Sequence, residues 1–77
     1  MVIQAYILVD IGGTKPSAVV NQIAEVQSVV SAQPVTGPHD AVVVVEADDM
    51  TQLGQVVMEK IHGLEGVSRT LTCVVAD

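Results

Sequence analysis

The sequence predicts an α+β fold of order strand–helix–strand–strand–helix–strand, an antiparallel sheet of four strands with both helices on one face. Three observations predict it. Two apolar runs, residues 2–11 and Ala41–Ala47, are dominated by β-branched side chains. Each is followed, after glycine or aspartate punctuation, by apolar residues at helical spacing. The two halves are weakly alike, each reading strand, helix, strand.

The first strand, residues 2–11, has two alternating sets that are both largely apolar, as in a strand buried on both faces. Gly12-Gly13 ends it, and Pro16 suits a first helical position, where a missing N–H costs no helical bond. Val19, Ile23, Val26 and Val30, flanked by Val20 and Val29, predict a helix from Pro16 to about Val30. Its valine content weakens it, because valine is a mediocre helix former. Residues 31–36 read as a short link or strand, and Pro34 marks it as an edge. Gly37-Pro38-His39-Asp40 is a turn into the second apolar run, with four valines at 42–45. Asp48 or Asp49 can cap the next helix, residues 50–62, whose buried line is Leu53, Val57, Ile61 and Leu64 with Val56. Gly63 reads as a left-handed stop and Gly66 as a turn. The last strand, residues 67–76, sets Arg69, Leu71, Cys73 and Val75 against Ser68, Thr70, Thr72, Val74 and Ala76. Right-handed crossovers bring the first and third strands together in the middle, which is the ferredoxin-like βαββαβ arrangement.

Two helices cover only one face of such a sheet. The other face, with Gln4, Tyr6, Glu46 and Thr72 among apolar neighbours, suits a protein contact. Two copies packed through their open sheet faces would give a symmetric dimer of the dimeric α/β-barrel type. The composition points the same way. The chain has 77 residues, 49% of them hydrophobic and 17 of them valine, with one aromatic, Tyr6, and 16% charged. So small a core needs efficient packing or a partner.

Charge and motif content exclude several function classes. A net charge of -6 disfavours direct contact with nucleic acid and with anionic membrane surfaces. No apolar run is long enough to span a bilayer. Cys73 is alone, so no intrachain disulfide forms, and a reducing cytoplasm is the expected compartment. His39 and His62 are far apart and lack converging ligands, so no metal site is expected. Gly12-Gly13-Thr14-Lys15 lacks the glycine spacing of a phosphate loop. No catalytic constellation and no cofactor motif emerges. The unusual local feature is the 36–40 turn. Gly37 permits close backbone approach, Pro38 fixes an angle, and the Asp40 carboxylate can accept backbone amides or receive a ligand ammonium. Read locally, it is either a rigid hairpin turn capped by Asp40 or a ligand anchor.

The chain resembles the ligand-binding domain of Lrp/AsnC-type transcriptional regulators, the RAM domain. Three segments carry the resemblance: Ala5-Tyr6-Ile7-Leu8-Val9, then Thr36-Gly37-Pro38-His39-Asp40 running into Ala41-Val42-Val43-Val44-Val45, and finally residues 61–72, which follow the pattern I-x-x-L-x-G-V-x-x-T-x-T. The resemblance covers essentially residues 1–77 as one domain. It implies a dimer of sheets, assembly of dimers into rings of octamer or decamer size, and an amino-acid effector bound between dimers. Carried over by position, the site comprises Thr36, Gly37, Pro38, His39 and Asp40, with Ser68, Thr70 and Thr72 on the last strand. The chain looks like a stand-alone member without the helix-turn-helix domain, which implies action either by mixing with full-length regulators or as a sensor or amino-acid-binding modulator. His39 stands where the family usually has Tyr or Phe; a histidine there titrates near physiological pH unless its surroundings shift it. Three other readings share the topology: an ACT-like amino-acid-binding domain, a small dimeric α/β-barrel enzyme, and a purely structural oligomer.

Overall fold

The structure, a computed structural model, describes residues 2–76. Met1 and Asp77, the ends of the expected 1–77 domain, lie outside the described residues. The strands are β1 (Ile3–Ile11), β2 (Val29–Pro34), β3 (Ala41–Ala47) and β4 (Val67–Val74). Helix α1 is Pro16–Ala24, and α2 is Met50–Gln55, continued by a π-helical segment, Val56–Ile61. The sheet order is β2-β3-β1-β4, with every pairing antiparallel. This is the ferredoxin-like order expected from the sequence, with β1 and β3 in the middle.

Alternation along the central strands builds the core. Ala5, Ile7 and Val9 of β1 and Ala41, Val43, Val45 and Ala47 of β3 face the helices and are buried. Val19, Val20 and Ile23 of α1 pack on them, as do Leu53, Val56, Val57 and Ile61 from the second helical run. Among the described residues no polar side chain is buried, so apolar burial and dispersion hold this layer together.

The opposite face is half open. Tyr6 is 44% exposed and Leu71 50%, with Leu8, Val42 and Val44 half-buried between them. The expected barrel-type arrangement is not found. The sheet is open, and β2 and β4 are its two edges. Closure requires the two edge strands to hydrogen-bond to each other, and β2 and β4 stand at opposite ends of the strand order.

Four further expectations need correction. Helix α1 stops at Ala24 rather than near Val30. Short bonds, Val26 N–H to the Ile23 carbonyl and Val29 N–H to the Val26 carbonyl, both 3.0 Å, unwind it. Val29 then pairs with Val45, where β-branching suits a pleated surface. Val30 is the extra residue of a bulge, and Pro34, which lacks a donor, closes this edge strand. Gly63 is not left-handed; its positive-φ counterpart is Gly66, at +98°. A Cβ on Gly63 would lie 3.1 Å from the Glu59 carbonyl oxygen, so close packing on the helix end accounts for that glycine. The last strand ends at Val74, although the Val75 N–H still donates to the Gln4 carbonyl at 2.8 Å. Thr72 lies opposite Ile7, so it faces the helices and not the open side.

The start of α2 is capped as its sequence suggests. Asp49 Oδ1 accepts the Gln52 N–H at 2.8 Å, while Gln52 Oε1 reaches back to the Asp48 N–H. Asp49→Ala is expected to cost about 1 kcal/mol. A lowered urea midpoint at unchanged slope checks this.

Candidate functional site

The 36–40 turn connects β2 to β3 and sits at one end of the central strands. Gly37 has φ of +103°, a region that L side chains rarely adopt, and the Gly37–Pro38 bond is cis. Thr36, Gly37 and Pro38 are exposed, whereas His39 and Asp40 are half-buried.

Asp40 is fixed at three points. Its N–H donates to the Val9 carbonyl at 2.9 Å, and its carbonyl accepts the Val35 N–H at 3.0 Å. Its carboxylate Oδ2 accepts the Ile11 N–H at 2.7 Å. The β1–β3 ladder ends at the Val9–Ala41 pair, so this carboxylate supplies one more rung to β1. The hairpin reading and the anchor reading therefore share the residue: one oxygen serves the fold, and the charge remains for chemistry.

His39 turns toward β1. Its Nδ1 lies 2.8 Å from Asp10 Oδ1, and the two side chains are 24% and 28% exposed. The other Asp10 oxygen lies 3.9 Å from Arg69 Nε, a loose contact of an 81% exposed guanidinium. Exposure screens that pair, and its contribution to stability is small. The Ser68 hydroxyl donates to the Asp10 carbonyl at 3.0 Å. Ser68 reaches this position through a register shift: Asp10 pairs with Arg69 and Ile11 with Val67, leaving Ser68 as the extra residue.

Of the residues singled out from the sequence, His39, Asp40 and Ser68 meet around the end of β1. Thr70 lies beside Val9 on the helix-facing side. Thr72 lies apart, in an apolar groove of about 260 Å³ with Met50, Leu53, Gly54, Val57, Met58 and Val74. Sequence reasoning missed Asp10 and Arg69. A carboxylate interrupting the apolar β1 run just before Gly12-Gly13 was the available signal for Asp10. A roomier concavity of about 360 Å³, lined by Val2, Ser28, Glu46, Asp48 and Gln52 among others, opens at the opposite end of the sheet.

The cluster offers two carboxylates, an imidazole, a hydroxyl and one guanidinium at a surface turn. That donor and acceptor set suits a small polar or zwitterionic molecule. Among the described residues no group of three or more His, Cys, Asp or Glu side chains could hold a metal ion. Among them, too, no helix is long and apolar enough to cross a membrane.

Residues 4–77 match the family model described as the Lrp/AsnC ligand binding domain. Among solved structures, the protein TTHA0845 from Thermus thermophilus is 37% identical at a TM-score of 0.91, with 97% of this chain and 94% of that one covered. The hypothetical protein PHS023 from Pyrococcus horikoshii is 30% identical at a TM-score of 0.88, covering 99% of this chain and 90% of that one. The transcriptional regulator NMB0573 from Neisseria meningitidis shares the fold at 22% identity and a TM-score of 0.85, the match covering 97% of this chain and 50% of the regulator. No curated protein matches the chain. The ACT-like and enzyme readings give way to the family match. The chain belongs to the Lrp/AsnC ligand-binding domain family, and is an oligomeric, effector-binding regulatory module rather than a catalyst.

Proposed function

We propose that the chain binds a free amino acid at the 36–40 turn and responds by stabilising an assembly of its own copies. The observation that carries this reading is the meeting of His39, Asp40, Asp10 and Ser68 beside the exposed Gly37-Pro38 backbone. The Asp40 carboxylate receives the ligand ammonium, and Gly37 and Pro38 let the ligand approach the main chain. Thr36 closes the turn side. Ser68 joins the site from its own chain, through its bond to the Asp10 carbonyl, whereas Thr70 and Thr72 enter the completed site from a neighbouring copy, which fits the separation of Thr72 from its own turn. The whole of residues 1–77 acts as one ligand-binding unit, in rings of octamer or decamer size, in the cytoplasm. The fold-sharing Neisseria regulator in complex with L-Met supports an amino acid as the effector class.

The mechanism is linkage. A ligand that touches two copies favours the state in which both are present, by an amount set by its concentration relative to its affinity. Exposed apolar side chains such as Tyr6, Leu71, Met50 and Met58 supply surface for self-association. Regulation then passes through mixing with full-length Lrp/AsnC-type regulators, without direct contact to DNA by this acidic domain.

Calorimetry with the twenty L-amino acids, L-Met first, tests the site. Asp40→Asn keeps an oxygen for the Ile11 N–H and removes the charge. It is expected to weaken binding by about 10- to 100-fold, the range of a lost charge-assisted hydrogen bond. Asp40→Ala should lose binding and some stability together. Affinity unchanged in both variants would place the ligand elsewhere. Light scattering on the same samples should give a mass above that of one chain, rising with ligand.

A further inference from the structure

The His39–Asp10 contact fixes more than the position of the ring. A carboxylate at neutral pH only accepts hydrogen bonds. At 2.8 Å from Asp10 Oδ1, Nδ1 of His39 is therefore the nitrogen that carries the proton. In a neutral imidazole the other nitrogen, Nε2, is then a bare acceptor. Nε2 takes no hydrogen bond among the described residues, and no buried side-chain nitrogen or oxygen there lacks a partner, so Nε2 reaches the surface. Tyr or Phe at this position could offer no such lone pair on a ring nitrogen.

The surroundings select what Nε2 can meet. The charged groups on the elements packed around the ring are Asp10 on β1, Asp40 at the start of β3, and Arg69 on β4. Two of the three are acidic, and the lone cation is mostly in solvent. One oxygen of each carboxylate is already engaged, by His39 and by the Ile11 N–H. A primary ammonium brings three N–H donors and a positive charge, and so can share itself between the remaining Asp40 oxygen and Nε2. A ligand with a ketone in place of the amine brings neither the charge nor a donor, and one with a hydroxyl brings a single O–H donor and no charge.

Building on the effector site proposed above, we propose that His39 is a specificity-determining residue of that site, whose Nε2 receives an N–H of a primary-ammonium ligand. Protonation of the ring converts Nε2 from acceptor to donor and adds a like charge beside the ammonium. Acidification therefore releases the ligand.

Two measurements test this. Nitrogen-15 NMR of the imidazoles in the intact chain should show His39 protonated on Nδ1, with that preference lost in Asp10→Asn. Calorimetry between about pH 8 and pH 5, the span in which histidine ordinarily changes charge, uses the twenty L-amino acids as probes, and the α-keto acid of the tightest binder. The keto acid should bind at least tenfold more weakly. His39→Gln, whose amide oxygen can stand in for Nε2, should keep neutral-pH affinity within a few-fold and lose the acid fall. His39→Phe should weaken binding at least tenfold at neutral pH, and His62→Gln should change nothing. A proton found on Nε2, a flat pH profile in the wild type, or full affinity in His39→Phe would overturn the role of His39 and leave the effector site standing. Failure of every amino acid to bind the wild-type chain would overturn both.

Discussion

Ile7→Ala is expected to remove about 3–4 kcal/mol of stability, the usual cost of truncating a fully buried branched side chain. Ile7 is 0% exposed, in the middle of the central strand β1, opposite Val43 on one side and Thr72 on the other. Its neighbours in the core are mainly valine and alanine, with Ile23, Leu53 and Ile61 as the other large members. Short, stiff side chains reach poorly into a void, so the cavity stays open and the loss sits toward the upper part of the range. A 77-residue domain has a total stability of about 4–12 kcal/mol. The substitution thus removes a large share of it, whereas Ile7→Val should cost about 1 kcal/mol. Urea unfolding at one fixed protomer concentration checks both, because assembly makes apparent stability concentration-dependent. A difference below about 1 kcal/mol between Ile7→Ala and wild type would mean that the core closes over the gap.

The alternation that places Ile7 inside was legible in the sequence, and so was the order of elements. Periodicity of two in residues 2–11 and 41–47 reports which side chains share a face, and helical spacing after each reports what covers it. What it does not report is where β-branched residues stop being helical. Val26, Val29 and Val30 fit a helical stripe, yet Val29 gains more from pairing with Val45 at the sheet edge. Face assignment on β4 failed for a related reason. Leu71 and Cys73 are the more apolar set and would be placed inward, but they lie opposite Leu8 and Tyr6 on the open side. On β4 the side that meets the helices carries Thr70 and Thr72, so apolarity alone does not report its face, and the same limit applies to sheet closure, which depends on edge hydrogen bonds that side-chain alternation does not encode. At the site, the 36–40 turn announces itself through Gly37 and Pro38. The partners of His39 and Asp40 are 29 residues away in sequence, at Asp10 and Ile11, and only the strand register brings them there.

Gly66→Ala is expected to cost about 2–5 kcal/mol and to disturb the site as well as the fold. Gly66 has φ of +98°, outside the range that L residues adopt without strain of about 1–2 kcal/mol. A Cβ there would lie 2.6 Å from Thr14 Cγ2 and 3.0 Å from Val19 Cγ2. The Thr14 methyl is peripheral and can move, but Val19 is fully packed in the core, so the second contact forces a shift costing about 1–3 kcal/mol. The two terms separate by mutation. In a Thr14→Ser background the first contact disappears, so Gly66→Ala should cost less there, by the coupling energy of a double-mutant cycle. The backbone strain remains in both backgrounds. The Gly66 carbonyl also accepts the Gly12 N–H at 2.9 Å, which ties the end of β1 to the start of β4. Two residues later comes the Ser68 bulge that brings its hydroxyl to the Asp10 carbonyl. A chain pushed outward at position 66 loosens that register and, with it, the Asp10 side chain that orients His39. Gly66→Ala should therefore lower amino-acid affinity in calorimetry even at temperatures where circular dichroism shows it fully folded. A variant that loses stability but keeps wild-type affinity would show that the bulge is set by β4 pairing alone.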